Sequence, residues 1–177
     1  VEPLMFLKPS TAVIGPGEVI TLPNQSSMVH HEAELAVVIG RFCKDVPRDR
    51  VSEVILGFTC ANDVSARDVQ ESDGQWSRAK GFDTFCPLGP WIETDLDPSD
   101  LAVTTYVGDD LRQSGNTKNM IFSAVDLVSF VSHQMTLLPG DVILTGTPAG
   151  VGPIVSGDEV EVAIEGIGSL VNTVQRA

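Results

Sequence analysis

The sequence predicts an α+β fold dominated by β-structure, on three observations. Its 16 glycines and 11 prolines fall mostly between short apolar runs, the pattern of many short strands joined by turns. One stretch, "NMIFSAVDLVSFVSHQM", carries the 3.6-residue apolar repeat of an amphipathic helix through Val125, Val128, Phe130 and Val131. The composition, 42% apolar and 20% charged over 177 residues, is that of an ordinary globular protein long enough to bury a core, and one domain over 1–177 is expected.

The elements follow in order. "STAVIGPGEVITLP" reads as strand, Gly-Pro-Gly turn, strand. "AELAVVIGRF" reads as a strand buried on both faces after its start. Val51, Val54 and Ile55 repeat at i, i+3, i+4 and predict a helix there. "ILGFTCANDV" is strand-like, and "SARDVQ" a short turn or helix. "DLAVTTYVGDDLRQSGN" predicts a hairpin with its turn at Gly108-Asp109-Asp110. Ser123 is placed to cap the amphipathic helix. From Leu137 to Gln175 the chain is a run of short strands and Gly/Pro turns.

Eleven basic against 24 acidic residues give a net charge of −13, which repels nucleic acid and anionic membranes. An anionic substrate then requires a local reversal of sign, which a metal ion supplies. No run of about 18 apolar residues is present, so no membrane span is expected. The N-terminal "VEPLMFLKPS" lacks the basic-then-apolar pattern of a signal peptide. Cys43, Cys60 and Cys86 are an odd number without zinc-site spacing, pointing to buried thiols in a reducing cytoplasm.

"HHEAELAVVIG" sets Glu32 and Glu34 on one face of a strand that runs into the core. Burying both is costly unless something neutralises them, and a divalent cation does so with hard oxygen ligands. A solvated strand edge would carry the same pair. Asp63 follows another strand-like run and completes a set of three oxygens, although Asp also stabilises turns at such places. Lys80, near Arg78 in the aromatic-rich "QWSRAKGFDTFCPLGPW", suits stabilisation of an enolate or movement of a proton; it also suits snorkelling over those rings. Arg67 and Gln70 suit a substrate carboxylate or carbonyl, and Arg67 has Asp68 and Glu71 as alternative partners. "LTGTPAGVGP" around Thr147 permits close backbone approach to a ligand, as tight turns do, and lacks the ending of a phosphate loop. His30 shares the Glu32/Glu34 face and suits a base or a partner to those acids, as well as a structural role; His31 points the other way, and His133 lies on the predicted helix. There is no Gly-x-Ser-x-Gly elbow to support a serine hydrolase.

Taken in register, "HHEAELAVVIG", "ANDVSARDVQ", "QWSRAKGFDTFCPLGPW", "MTLLPGDVILTGTPAGVGP" and "GDEVEVAIEGIGSLVN" resemble the C-terminal catalytic domain of the fumarylacetoacetate hydrolase family over nearly the whole chain. The resemblance implies a mixed β-sandwich roll with a few short helices. It also implies Mg²⁺ or Mn²⁺ held by Glu32, Glu34 and Asp63, with Lys80 as active-site lysine. Arg67, Gln70 and Thr147 are implied as substrate contacts, with homodimerisation. It implies chemistry on small anionic 2-oxo acids or 1,3-dicarbonyls, most like the bacterial 2-hydroxyhepta-2,4-diene-1,7-dioate isomerases of aromatic-compound degradation. Acylpyruvate hydrolases and oxaloacetate decarboxylases are related, and a non-catalytic metal- or ligand-binding module is the reading of another class. Family members carry a His-x-x-Glu segment upstream of "FLKPS" that closes over the site and supplies the general base. That pair is not in this sequence, and His30 does not stand in for it.

Overall fold

Every residue from Ala33 to Ile39 is buried, and the other strands are arranged around this segment. The computed structural model describes residues 2–177. After a 3₁₀ turn at Ser10–Ala12 come β1 (Val13–Ile14), β2 (Val19–Leu22), β3 (Val29–His31) and β4 (Ala33–Ile39). Then follow β5 (Ile55–Asn62), β6 (Ser65–Ala66), α1 (Arg67–Asp73), α2 (Ser77–Lys80) and β7 (Cys86–Glu93). The chain continues through β8 (Ala102–Val107), β9 (Asp110–Asn116), α3 (Ala124–Gln134), β10 (Val142–Leu144) and β11 (Gly152–Pro153). It ends with β12 (Glu159–Ile164) and β13 (Gly168–Arg176).

Three sheets result, ordered β1-β7-β5-β4-β10, β11-β3-β6 and β2-β13-β12-β8-β9. β1 runs parallel to β7 and β2 parallel to β13, while the other pairs are antiparallel, so the expected β-dominated mixed architecture is what forms. The two five-stranded sheets share a core: Leu35, Val37 and Cys60 from one pack with Val103, Val162, Ile164 and Leu170 from the other. Each such side chain contributes about 1.5–3 kcal/mol on burial. A second cluster joins Ile20, Leu22, Val64 and Phe85 beneath the small sheet.

Details depart from expectation for local reasons. "VIGPGEVI" does form strand, turn and strand, but each strand pairs elsewhere: Val13 registers with Cys86 and Val19 with Thr173. The helix expected at Val51 is a 3₁₀ segment, Arg48–Glu53, behind Pro47. Its exit is fixed by the Val54 carbonyl, which accepts from Gly40 N–H at 2.7 Å and turns Ile55 into β5. The β8–β9 hairpin forms as predicted, with Val107 opposite Asp110 and Gly108 at φ 56°. α3 starts at a reciprocal capping box between Ser123 and Asp126. Val128 is fully buried there, and the inner face continues as Ser129 and Ser132, whose hydroxyls bond Val46. No helix among the described residues is long and apolar enough to cross a membrane.

Candidate metal centre

Glu32 interrupts the strand expected to run through it. Its N–H donates to Asn62 Oδ1 at 2.9 Å and its carbonyl accepts from Asp63 N–H at 2.8 Å, so it is tied to the end of β5 rather than continuing β3 into β4. β5 pairs with β4 so that Ala33 lies opposite Asn62. The three predicted acids therefore meet: oxygens of Glu32, Glu34 and Asp63 lie within 4.8 Å of one another, on residues 6%, 4% and 2% exposed. The solvated-edge reading of the glutamates does not hold.

Two like charges 4.8 Å apart repel by roughly 3 kcal/mol at an effective dielectric of about 20. Three cations offset this. Lys80 Nζ bridges Glu32 Oε2 at 2.8 Å and Asp63 Oδ2 at 2.7 Å, and its side chain is 3% exposed, so it does not snorkel. Lys8 Nζ donates to Asp63 Oδ1 at 2.6 Å and to the Lys80 carbonyl at 2.5 Å. The Arg67 guanidinium pairs with Glu32 Oε1 and donates to Gln70 Oε1 at 2.9 Å. The Phe6 ring, edge-packed on Trp76, has its centroid 5.1 Å from Lys80 Nζ. Asp68, the alternative partner of Arg67, instead takes bonds from Ser26, Ser27 and Val69. Arg78 pairs with Asp73 at the exposed end of α1.

Glu34 is left with no cation in direct contact. Gly146 N–H donates to its Oε2 at 2.6 Å, an approach made at φ 95°, which favours glycine. Burial, then the Asp63 and Glu32 carboxylates, hold the Glu34 pKa well above its ordinary 4.5. A buried carboxyl held back from ionising, beside two ionisable neighbours and with hard oxygens only, is the donor set a Mg²⁺- or Mn²⁺-like cation fits. Such an ion gives Glu34 the positive partner that it lacks.

Thr147 follows Gly146 and is half-buried, with its Oγ1 accepting from Gln113 Nε2 at 2.8 Å. The backbone crosses close to β9 here: a Cβ on Gly150 would stand 2.2 Å from the Arg112 carbonyl oxygen. Arg67, Gln70, Lys80 and Thr147 are thus linked to the carboxylate cluster directly or through one neighbour. His30 is half-buried beside them, its pKa lowered by burial and then by Arg67. His31 is fully buried against Gln113, and His133 caps a turn of α3 by bonding the Ser129 carbonyl. All three cysteines are buried free thiols.

Sequence reasoning passed over Lys8 and Gln113. Lys8 gives no local signal, because its partner is 55 residues away. Gln113 does: it lies opposite Thr105, on the inward face of β8 that Val103 and Val107 otherwise line with apolar groups.

Solved structures share this fold closely. A protein of Mycobacterium smegmatis named 5-carboxymethyl-2-hydroxymuconate delta-isomerase is 60% identical, with a TM-score of 0.99 over 100% of this chain and 70% of its own. The 2-hydroxyhepta-2,4-diene-1,7-dioate isomerase of Mycobacterium marinum is 58% identical, with a TM-score of 0.99 over 99% of this chain and 70% of its own. The maleylpyruvate hydrolase of Sphingobium sp. SYK-6, in complex with manganese(II) and pyruvate, is 40% identical, with a TM-score of 0.90 over 97% of this chain and 64% of its own. The likeness runs nearly end to end, as does the match of residues 1–175 to the family described as fumarylacetoacetate (FAA) hydrolase C-terminal, and the chain belongs to that family.

Proposed function

We propose that this chain is the catalytic domain, over 1–177, of a divalent-metal-dependent enzyme acting on small 2-oxo acids or 1,3-dicarbonyls through an enolate. Its reaction is most like that of a 2-hydroxyhepta-2,4-diene-1,7-dioate isomerase in aromatic-compound breakdown. The observation that carries this is the meeting of Glu32, Glu34 and Asp63 with a buried Lys80. Relatives named as isomerases support the reaction type.

Glu32, Glu34 and Asp63 would hold Mg²⁺ or Mn²⁺, whose chemistry is that of a Lewis acid toward a chelating 2-oxo carboxylate. Lys80 Nζ has three N–H groups and spends two on Glu32 and Asp63, so one remains to face an enolate oxygen or return a proton. Arg67, fixed by Glu32 and Gln70, presents a planar donor to a substrate carboxylate, and Gln70 offers its amide N–H beside it. Thr147 orients the other end. The low-dielectric surroundings strengthen each of these contacts as water is excluded.

A hydrolase of acylpyruvates is the second reading, favoured by the manganese- and pyruvate-bound maleylpyruvate hydrolase; oxaloacetate decarboxylation draws on the same groups. In either case we take a second copy of this chain as the partner and the cytoplasm as the setting; the buried free thiols support the latter. The test is turnover of 2-hydroxyhepta-2,4-diene-1,7-dioate, acetylpyruvate and oxaloacetate by the full-length protein, with and without chelator. Metal-dependent turnover of the first supports the isomerase reading. No turnover of any of the three, with bound metal verified, would leave only a binding module.

A further inference from the structure

Five hydrogen bonds converge on the side chain of Gln113, a residue with no exposed surface. Its Oε1 accepts from Ala33 N–H at 3.0 Å and from the Thr105 hydroxyl at 2.8 Å, and it faces His31 Nδ1 at 3.0 Å. Its Nε2 donates to Thr147 Oγ1 at 2.8 Å and to the Pro148 carbonyl at 2.9 Å. The amide cannot be turned round, because the Ala33 N–H only donates and the Pro148 carbonyl only accepts. One hydrogen of Nε2 goes to Pro148 and the other to Thr147, so the Thr147 oxygen is an acceptor from within the protein. Its own hydrogen finds no acceptor among the described residues and is free for a ligand. Thr147 adjoins Gly146, the donor to Glu34, and lines a cavity of about 500 Å³ together with Leu35, Ser114, Phe122 and Thr145.

We infer that Gln113 is a positioning residue that fixes the Thr147 hydroxyl as a hydrogen-bond donor toward a negatively charged substrate oxygen. The same amide holds Ala33 N–H through its oxygen, while the Glu32 and Glu34 carboxylates are held separately by Arg67, Lys80 and Gly146. The Thr147 hydrogen is then available to a carboxylate or enolate oxygen. The inference rests on the function proposed above, since it takes the ligand to be a keto-acid anion.

The experiment measures binding of Mn²⁺ alone, and then of pyruvate to the Mn²⁺-loaded full-length protein, by calorimetry. Gln113→Met is expected to keep its Mn²⁺ affinity within about twofold and to weaken pyruvate binding about tenfold, the worth of one hydrogen bond to a charged group. Thr147→Val is expected to show the same loss, Thr147→Ser to retain binding, and the Gln113→Met/Thr147→Val pair to be no worse than Thr147→Val, because the two groups act as one. In turnover, KM rises while kcat holds. Absence of pyruvate binding to the unmutated loaded protein overturns the functional reading and this inference with it. Loss in Thr147→Val with none in Gln113→Met overturns the inference and leaves the function standing. Equal losses of Mn²⁺ and pyruvate affinity in Gln113→Met mark a purely structural role and overturn it too. If Gln113→Met does not fold, Gln113→Asn replaces it, since its shorter amide cannot hold both Ala33 and Thr147 and the same pyruvate loss is expected. Unchanged pyruvate affinity in Gln113→Asn or in Thr147→Val alone overturns the inference.

Discussion

Lys8 Nζ lies 2.6 Å from Asp63 Oδ1, and the two side chains are only 7% and 2% exposed. The N-terminal segment therefore reaches across the molecule to neutralise a buried carboxylate in the cluster. Lys8 also bonds the Lys80 carbonyl, so it fixes the residue that carries the second cation on Asp63.

Removing Lys8 leaves Asp63 with Lys80 as its one remaining cation, so the cost stays below the roughly 3–5 kcal/mol of a buried charge left wholly unpaired. Lys8→Met is accordingly expected to lower the stability of the metal-free protein by about 1–2 kcal/mol. The freed Asp63 oxygen then attracts a divalent cation more strongly. Thermal melts in EDTA and in Mn²⁺ measure both effects: Mn²⁺ is expected to raise the melting temperature of Lys8→Met by more than that of the unmutated protein. An equal rise in the two proteins would count against this account.

Glu34 behaves in the opposite sense. Its folded pKa is raised, by burial and by Asp63 and Glu32. A carboxyl so placed gives its full stability only below its unfolded pKa, near 4.5, and loses it as pH climbs toward the folded value. The metal-free protein is thus expected to lose stability as pH rises above 4.5, and Glu34→Gln to remove that slope and melt higher at pH 7. In Mn²⁺ the order reverses, because the variant lacks a ligand. Melts across pH, with and without Mn²⁺, check it; Mn²⁺ stabilisation of Glu34→Gln equal to that of the unmutated protein would sink the ligand assignment.

Lys80→Met tests the catalytic proposal. A positioned proton donor or acceptor contributes about 10²–10⁴-fold. The variant is expected to lose kcat by about that factor while Mn²⁺ still binds, since the ion compensates Glu32 and Asp63. Lys80→Arg is not expected to rescue it, because a planar guanidinium does not fit a site where the side chain is 3% exposed and already spans two carboxylates. A kcat within a few-fold of the unmutated value in Lys80→Met would remove Lys80 from the chemistry.

These residues also show what the sequence makes legible. β4 and β5 are readable as strands because unbroken apolar runs bounded by Gly and polar residues have few other solutions, and the Ser123 cap and the β8–β9 turn carry local chemistry. The three clustered acids are readable because each stands where such a run begins or ends. The break at Glu32 is not, since it is made by Asn62 and Asp63 thirty residues on. Nor is the role of Lys8 or of Gln113, whose partners reach it from Ala33 and Thr147, 80 and 34 residues away. The 3₁₀ segment at Arg48–Glu53 has a helix-like spacing over too few residues for its period to separate the two forms.

Asp68 supplies an acid-sensitive pin for the helix that bears Arg67 and Gln70. Burial is the largest single influence on its carboxyl and works against ionisation. Bonds from Ser26 Oγ at 2.6 Å, Ser27 N–H at 2.8 Å, Ser27 Oγ and Val69 N–H outweigh it and draw the pKa down to about 2. A carboxyl depressed in the folded state gives stability that is present above its unfolded pKa, near 3.8, and lost as pH falls through the folded value. Asp68→Asn is therefore expected to be less stable than the unmutated protein at pH 7, by roughly 1 kcal/mol after solvent screening, and to converge with it as pH falls from 3.8 to 2. Because the pin holds the 26–28 turn against the start of α1, KM is expected to rise in Asp68→Asn while kcat changes little. Melting temperatures of the two proteins that stay a fixed distance apart down to pH 2 would show that the carboxylate does not hold this turn.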